Sequence, residues 1–158
     1  MEKATFAGGC FWGMEAAFRR LEGVVETCVG YSGGTTPDPD YHAVCGGTTG
    51  HAEAVQVTFD PAIVAYGDLV DYFWEIHDPT TLNRQGPDIG TQYRSAVFFH
   101  GTEQETAARA SKERLEASAR LTRPPVTEIA PAGPFHMAED YHQQYFEKRG
   151  MAGGCRLR

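Results

Sequence analysis

At Gly8-Gly9 the chain changes its hydrophobic period, and that change dictates most of what can follow. Residues 3–8 (KATFAG) are small and apolar and read as a strand. The two glycines break it. From Cys10 onward, Phe11, Met14, Phe18 and Leu21 recur at helical spacing until Gly23 ends the stripe. Residues 24–31 (VVETCVGY) are β-branched and read as a second strand. Residues 32–51 hold seven glycines and prolines and form a loop with short turns. Residues 52–59 (AEAVQVTF) alternate with period two and read as a third strand. A helix over 66–77 places Leu69, Val70, Phe73 and Ile76 on one face. Residues 93–99 (YRSAVFF) then make a fourth strand.

The order strand, helix, strand, strand, helix, strand is that of the split βαβ arrangement of ferredoxin-like folds. The expected class is therefore α+β, a two-layer sandwich with helices and loops added after the core. Thr102 and Glu105 suggest a capping box for a helix over 103–121. Pro124 and Pro125 precede a short strand at 126–130, and 138–148 can form a last helix. The segment 78–92 (DPTTLNRQGPDIGTQ) shows no period, and an aperiodic stretch of that length is more often functional than idle. The tail 150–158 is glycine-rich and is expected to be mobile. With 158 residues and no repeat or linker, one catalytic domain over 1–158 is expected.

The acidic excess, a formal charge of -7, is scattered rather than clustered. It argues against a nucleic-acid or anionic-membrane partner. No apolar run can span a bilayer and no signal-peptide pattern opens the chain, so a cytoplasmic protein is expected. Four cysteines, Cys10, Cys28, Cys45 and Cys155, are too few for a disulfide scaffold.

Cys10 stands where a strand turns into a helix. The helix N-terminus offers free N–H groups and the positive end of a dipole, which favour thiolate and lower a thiol pKa. Gly8 and Gly9 let a substrate approach the backbone, so Cys10 is the candidate nucleophile. The plain alternative is a packed cysteine. Phe11 lies on the core stripe, whereas Trp12 is about 100° away around the helix and is free to wall an apolar pocket. Glu53 shares a strand face with Val55, Val57 and Phe59. A carboxyl there is desolvated, its pKa rises, and it becomes a proton donor near neutrality unless the strand end reaches water. Tyr41 and Tyr93 flank loops and can donate phenolic hydrogen bonds to a substrate oxygen. Asp88 in the aperiodic segment is either a turn former or a polar anchor. His42-x-x-Cys45 with His51 invites a zinc reading, but structural zinc sites bring two close ligand pairs and only one is present, so no metal is expected.

Taken in order, GGCFWGMEAAF (8–18), GYSGG (30–34), Tyr41 before VCGGTTGHAEAVQV (44–57), QGPDIGTQYRS (85–95) and AEDYHQQYF (138–146) resemble type A peptide methionine sulfoxide reductases. The resemblance implies that Cys10 attacks the sulfur of a methionine sulfoxide, free or in proteins. It implies a methyl pocket of Phe11 and Trp12, a proton from Glu53, hydrogen bonds to the sulfoxide oxygen from Tyr41 and Tyr93, and positioning by Asp88. It implies selectivity for the S epimer, a sulfenic acid on Cys10, condensation with a second thiol and reduction by thioredoxin, with no cofactor. Many family members carry recycling cysteines in a longer tail. Here Cys155 is the expected resolving thiol, with Cys45 as its rival and Cys28 as a packing residue. A monomer is expected. Two other classes remain open to the residues alone: a Cys–His hydrolase using Cys10 with His51 or His142, and a thiol redox sensor. Neither accounts for Glu53, Tyr41 and Tyr93 together.

Overall fold

The computed structural model describes residues 1–148. Cys155 and the glycine-rich tail lie outside the described residues. The elements run β1 (Glu2–Ala7), α1 (Phe11–Arg19), β2 (Val24–Ser32), α2 (Tyr41–Cys45), β3 (Ala52–Phe59), α3 (Tyr66–Glu75), β4 (Arg84–Gln85), β5 (Asp88–Ile89), β6 (Ala96–Phe99), α4 (Thr102–Ala117), β7 (Glu128–Pro131), β8 (His136–Met137) and α5 (Tyr145–Lys148). The main sheet has the order β7-β6-β1-β3-β2-β8. β3 pairs antiparallel with both β1 and β2, so those two strands run parallel with β3 between them. With β6 antiparallel on the other side of β1, the inner four strands form the split βαβ arrangement that the order of periods predicts. β7 adds parallel to β6, and β8 pairs with Gly30 and Tyr31 at the far edge.

The alternation in each strand sorts its side chains into two layers. Phe6, Val29, Val55, Val57, Phe59 and Val97 face the helices and pack with Phe11, Phe18, Leu69 and Phe73. Phe6 sits at the centre, its ring 5.0 Å from those of Phe18 and Phe73. The opposite face is lined by Ala7, Ala52, Ala54, Ala96 and Phe98, and the chain around Ala130, Ala132 and Phe135 covers it.

Local boundaries depart from the periodic reading, each for a physical reason. α3 stops at Glu75 rather than 77, because the His77 ring accepts the role of terminator: its Nδ1–H donates to the Phe73 carbonyl at 2.7 Å. α4 starts at Thr102 behind Gly101, whose φ is +92°, and no side-chain cap forms, so the Thr102–Glu105 capping box is absent. That helix ends at Ala117 rather than 121, where Ser118 turns its hydroxyl onto the Leu115 carbonyl and Ala119 takes a φ of +60°. The strand expected at 93–99 begins only at Ala96, because the Tyr93 and Arg94 N–H groups close a 3-10 turn onto Gly90 and Thr91. The strand expected at 126–130 spans 128–131. Residues 138–148 are not one helix: a 3-10 turn at Asp140–His142 and the short α5 are separated by Gln144, whose φ is +50°. Nor is 78–92 structureless, since β4 and β5 form a hairpin across Gly86-Pro87.

Candidate active site

β1 delivers the chain to the site at the end of the sheet, and Gly9 turns it with a φ of +103°. A side chain at Gly9 would meet the Gln85 side chain at 3.0 Å, so the turn requires glycine twice over, for conformation and for space. Gln85 grips the base of its own loop: its amide accepts the Asp78 N–H at 2.9 Å and donates to the Asp78 carbonyl at 2.6 Å. This fixes the hairpin that carries Asp88 against the strand-to-helix turn.

Cys10 is the N-cap of α1 and is partly buried. The Trp12 and Gly13 N–H groups point at its sulfur and favour thiolate, as the helix N-terminus leads one to expect. The net effect is opposite. Burial, together with the Glu53 and Asp88 charges, pushes the Cys10 thiol up to about 12. The resting group is a protonated thiol, which corrects the expectation of a lowered pKa.

Glu53 lies on the helix-side face of β3, opposite Tyr31 of β2, and is 2 % exposed. It accepts the Phe11 N–H at 3.2 Å. Burial, helped by the Asp88 charge and opposed by that hydrogen bond, pushes its carboxyl up to about 7. The helix capped by the candidate nucleophile and the candidate acid are thus joined by a direct bond between α1 and β3.

Tyr41 opens α2 rather than a loop, and its hydroxyl bonds Cys45 one turn later. Burial raises its phenol, and the Cys45 bond and the Glu53 charge act in the same direction. Tyr93 ends the 3-10 turn before β6. Burial and then the charges of Glu53, Cys45, Asp88 and Cys10 push its phenol up to about 12, so it remains a donor at neutral pH. These mutual influences place Cys10, Glu53, Tyr41, Tyr93 and Asp88 in one electrostatic cluster, with Cys45 at its side.

Phe11 packs its buried ring 5.7 Å from Tyr31 and 5.2 Å from His142. Trp12 is half-buried, stacked at 3.7 Å on Tyr145 and donating its indole N–H to His142 at 2.9 Å. The segment from Ala138 to Lys148 is therefore a structural wall of the site. Glu139 accepts from the Tyr31 hydroxyl at 2.8 Å and from the Tyr41 N–H at 3.0 Å. Burial works to raise the Glu139 carboxyl, but these bonds outweigh it and keep the group below its ordinary range. Glu139, His142 and Tyr145 carry no periodic signal; only their place within the AEDYHQQYF block marks them. His51 accepts the Gly34 N–H at one ring nitrogen and bonds the Thr36 carbonyl with the other. It braces the 32–51 loop and has no nitrogen left to activate a thiol. Among the described residues, no group of three or more His, Cys, Asp or Glu side chains could hold a metal ion.

A thiol, a buried carboxyl, two phenols and an apolar wall are the parts that reduction of a sulfoxide needs, and the family comparison addresses that chemistry directly. The family model for peptide methionine sulfoxide reductase matches residues 2–158. The chain belongs to this family. It is an oxidoreductase of the same kind as its relatives. Peptide methionine sulfoxide reductase MsrA of Methanoculleus marisnigri is 64% identical over 99% of this chain and 94% of its own length. The enzyme of the same name from Geobacter sulfurreducens is 60% identical over 99% and 96%. Among solved structures, reduced Mxr1 from Saccharomyces cerevisiae aligns with a TM-score of 0.89 at 38% identity, covering 99% of this chain and 92% of that one. Methionine sulfoxide reductase A of Corynebacterium diphtheriae aligns at 0.84 with 43% identity, over 95% of this chain and 76% of that one. Mxr1 solved in complex with Trx2 aligns at 0.64 with 27% identity, over 91% and 84% of the two chains. No helix among the described residues is long and apolar enough to cross a membrane.

Proposed function

We propose that this protein reduces methionine-S-sulfoxide, free or in oxidised proteins, with Cys10 as nucleophile and Glu53 as proton donor. The observation that carries the proposal is a carboxyl that titrates near 7, hydrogen-bonded to the first turn of the helix that Cys10 caps. A sulfoxide oxygen leaves sulfur only when it is protonated. Glu53 supplies that proton, and the Tyr41 and Tyr93 phenols donate to the same oxygen while its charge develops. The Cys10 sulfur bonds to the sulfoxide sulfur and its thiol proton passes to Glu53; the substrate sulfur–oxygen bond then breaks, the oxygen bonds to Cys10 as the sulfur–sulfur bond opens, and Cys10 is left as a sulfenic acid. Methionine leaves with two more electrons than it brought, and Cys10 has lost two. The proton on Glu53 has a second use: it removes the carboxylate charge that opposes a Cys10 thiolate. Phe11 and Trp12 pack the S-methyl group, and Asp88 orients the rest of the substrate. Methyl wall, oxygen donors and nucleophile together accept one hand of the chiral sulfur.

A second thiol then condenses with the sulfenic acid, expelling water and leaving a disulfide that a thioredoxin dithiol reduces. The similarity to Mxr1, solved in complex with Trx2, supports that partner. We assign the resolving role to Cys155. Cys45 is the competitor, because its sulfur accepts the Tyr41 hydroxyl inside the same cluster. We place the enzyme in the reducing cytoplasm as a monomer, where thioredoxin is available.

Turnover of separated epimers tests the reading. Only the S sulfoxide should be consumed, and Cys10→Ser should abolish the reaction. Equal consumption of both epimers, or activity near wild type in the serine variant, would reject it. For the second step, Cys155→Ser should still release about one methionine per enzyme but fail to turn over with thioredoxin. Peptide mapping after one turnover of the wild type decides the partner thiol: a Cys10–Cys45 bond with Cys155 free would reverse the assignment.

A further inference from the structure

The hairpin of β4 and β5 carries Asp88 into the site, and it also holds two large aliphatic side chains in water. Leu82 is 68 % exposed and Ile89 is 74 % exposed. They stand close together, because their chain neighbours Asn83 and Gly90 are bonded to each other, the Gly90 N–H donating to the Asn83 carbonyl at 2.9 Å. The hairpin is not a loose loop that exposes them by accident. The Thr81 hydroxyl donates to the Arg84 carbonyl at 2.7 Å. Gln85 ties the base to Asp78 through two bonds, and its side chain fills the space beside Gly9, the residue before Cys10. Single exposed apolar residues are ordinary on a protein surface. Apolar groups gathered on a braced element at the edge of a site mark a binding surface.

Its position selects the partner. Ile89 follows Asp88, whose charge acts on Cys10, Glu53 and Tyr93, so the pair adjoins the reacting groups. Tyr141, on the wall segment, is exposed as well; its ring lies 4.2 Å from His142, whose ring lies 4.6 Å from Tyr41. Exposed apolar groups thus come to the site from two separate elements. A free amino acid has no apolar group besides the side chain that enters the pocket. A polypeptide brings the neighbours of the sulfoxide past the rim. A second copy of this chain seated there would close the site to its substrate. Apolar neighbours are what a methionine has in a buried segment, which is open to oxidation once that segment has come apart.

We propose that Leu82 and Ile89 form a docking rim for an extended polypeptide in which apolar residues flank the methionine sulfoxide. The proposal rests on the reading of Cys10 and Glu53 as a methionine sulfoxide site and names the substrates that this site favours. The rim takes no part in the chemistry. It adds binding for sulfoxides in opened chains, and because the hairpin is already fixed, little ordering is lost on contact.

The test uses the full-length enzyme with dithiothreitol as reductant. Three substrates are compared: free methionine-S-sulfoxide, a short peptide with the S sulfoxide between leucines, and the same peptide with glycines in their place. The variant combines Leu82→Ser and Ile89→Ser; both positions are exposed, and serine adds no charge near Asp88. The wild type should prefer the leucine peptide to the glycine peptide in kcat/KM. In the variant, kcat/KM for the leucine peptide should fall roughly three- to thirtyfold, while the glycine peptide and the free sulfoxide stay within about twofold. An unchanged leucine peptide, or an equal fall for all three substrates, would overturn the proposal. So would a loss that is seen only when thioredoxin replaces dithiothreitol, which would assign the rim to the reductant. The two levels of the reading fail in different ways. A wild type that consumes none of the three substrates shows the site itself to be misassigned, and the proposal falls with it. A wild type that consumes the free sulfoxide but treats both peptides alike refutes the rim alone.

Discussion

At pH 6 both Glu53, at about 7, and Cys10, at about 12, hold their protons. The single-turnover rate should therefore be flat on the acid side and fall as pH rises through 7, where Glu53 ionises. Stopped-flow measurement between pH 5 and 9 checks this, and a rate that climbs through pH 8 would contradict it. Glu53→Gln should slow that step by about 100- to 10,000-fold with little change in binding. The same substitution has an opposite effect on folding. The Glu53 pKa is raised from 4.5 in its ordinary state to about 7 in the fold, so the native protein holds this proton more tightly. The carboxyl costs nothing below the lower value, and its penalty grows as pH rises and is complete above the higher one. Full ionisation in that site costs about 3 kcal/mol. Glu53→Gln should thus raise the melting temperature at pH 8 and leave it nearly unchanged at pH 4.5. The buried place of Glu53 was legible in the sequence because a strand has a strict period of two. The state of the Cys10 thiol was not, because the groups that raise it arrive from β3 and β5 across the fold, and local position reveals only the helix terminus.

Elements near the site are set by hydrogen bonds that no propensity encodes. The stretch 138–148 has the composition of a helix, yet its Glu139, His142 and Gln143 side chains are all committed to β2, α1 and α2. The backbone leaves helical geometry at Gln143 and Gln144, and the wall replaces the helix. The hairpin of β4 and β5 was equally hidden, since two-residue strands have no period to read. Its junction with the nucleophile turn gives a test. Gly9→Ala imposes a side chain on a φ of +103° and drives it into Gln85 at 3.0 Å. It should cost about 1–3 kcal/mol in chemical denaturation and misplace Cys10, lowering activity by more than the stability loss explains. A variant as stable and active as wild type would show that the turn tolerates a side chain.

For the whole molecule, the four inner strands followed from the order of periods and β7 from the stretch after Pro124-Pro125, two residues off at its start; β8 did not, because two residues show no period and pair with a strand distant in sequence. The inner pairing predicts a hierarchy of opening: amides of β1 and β3 should exchange slowest, and those from Ala138 to Lys148 should exchange early, as hydrogen-exchange mass spectrometry can measure. The pocket joins these two extremes. Trp12 and His142, bonded to each other, stand 130 residues apart in the chain. A protein leaves the ribosome N-terminus first, so the Cys10 thiol is synthesised long before the wall that completes its pocket. Until residues 138–148 are made, the nascent chain carries its candidate nucleophile with no pocket around it, and the site comes into being only when that segment docks on α1 and β2.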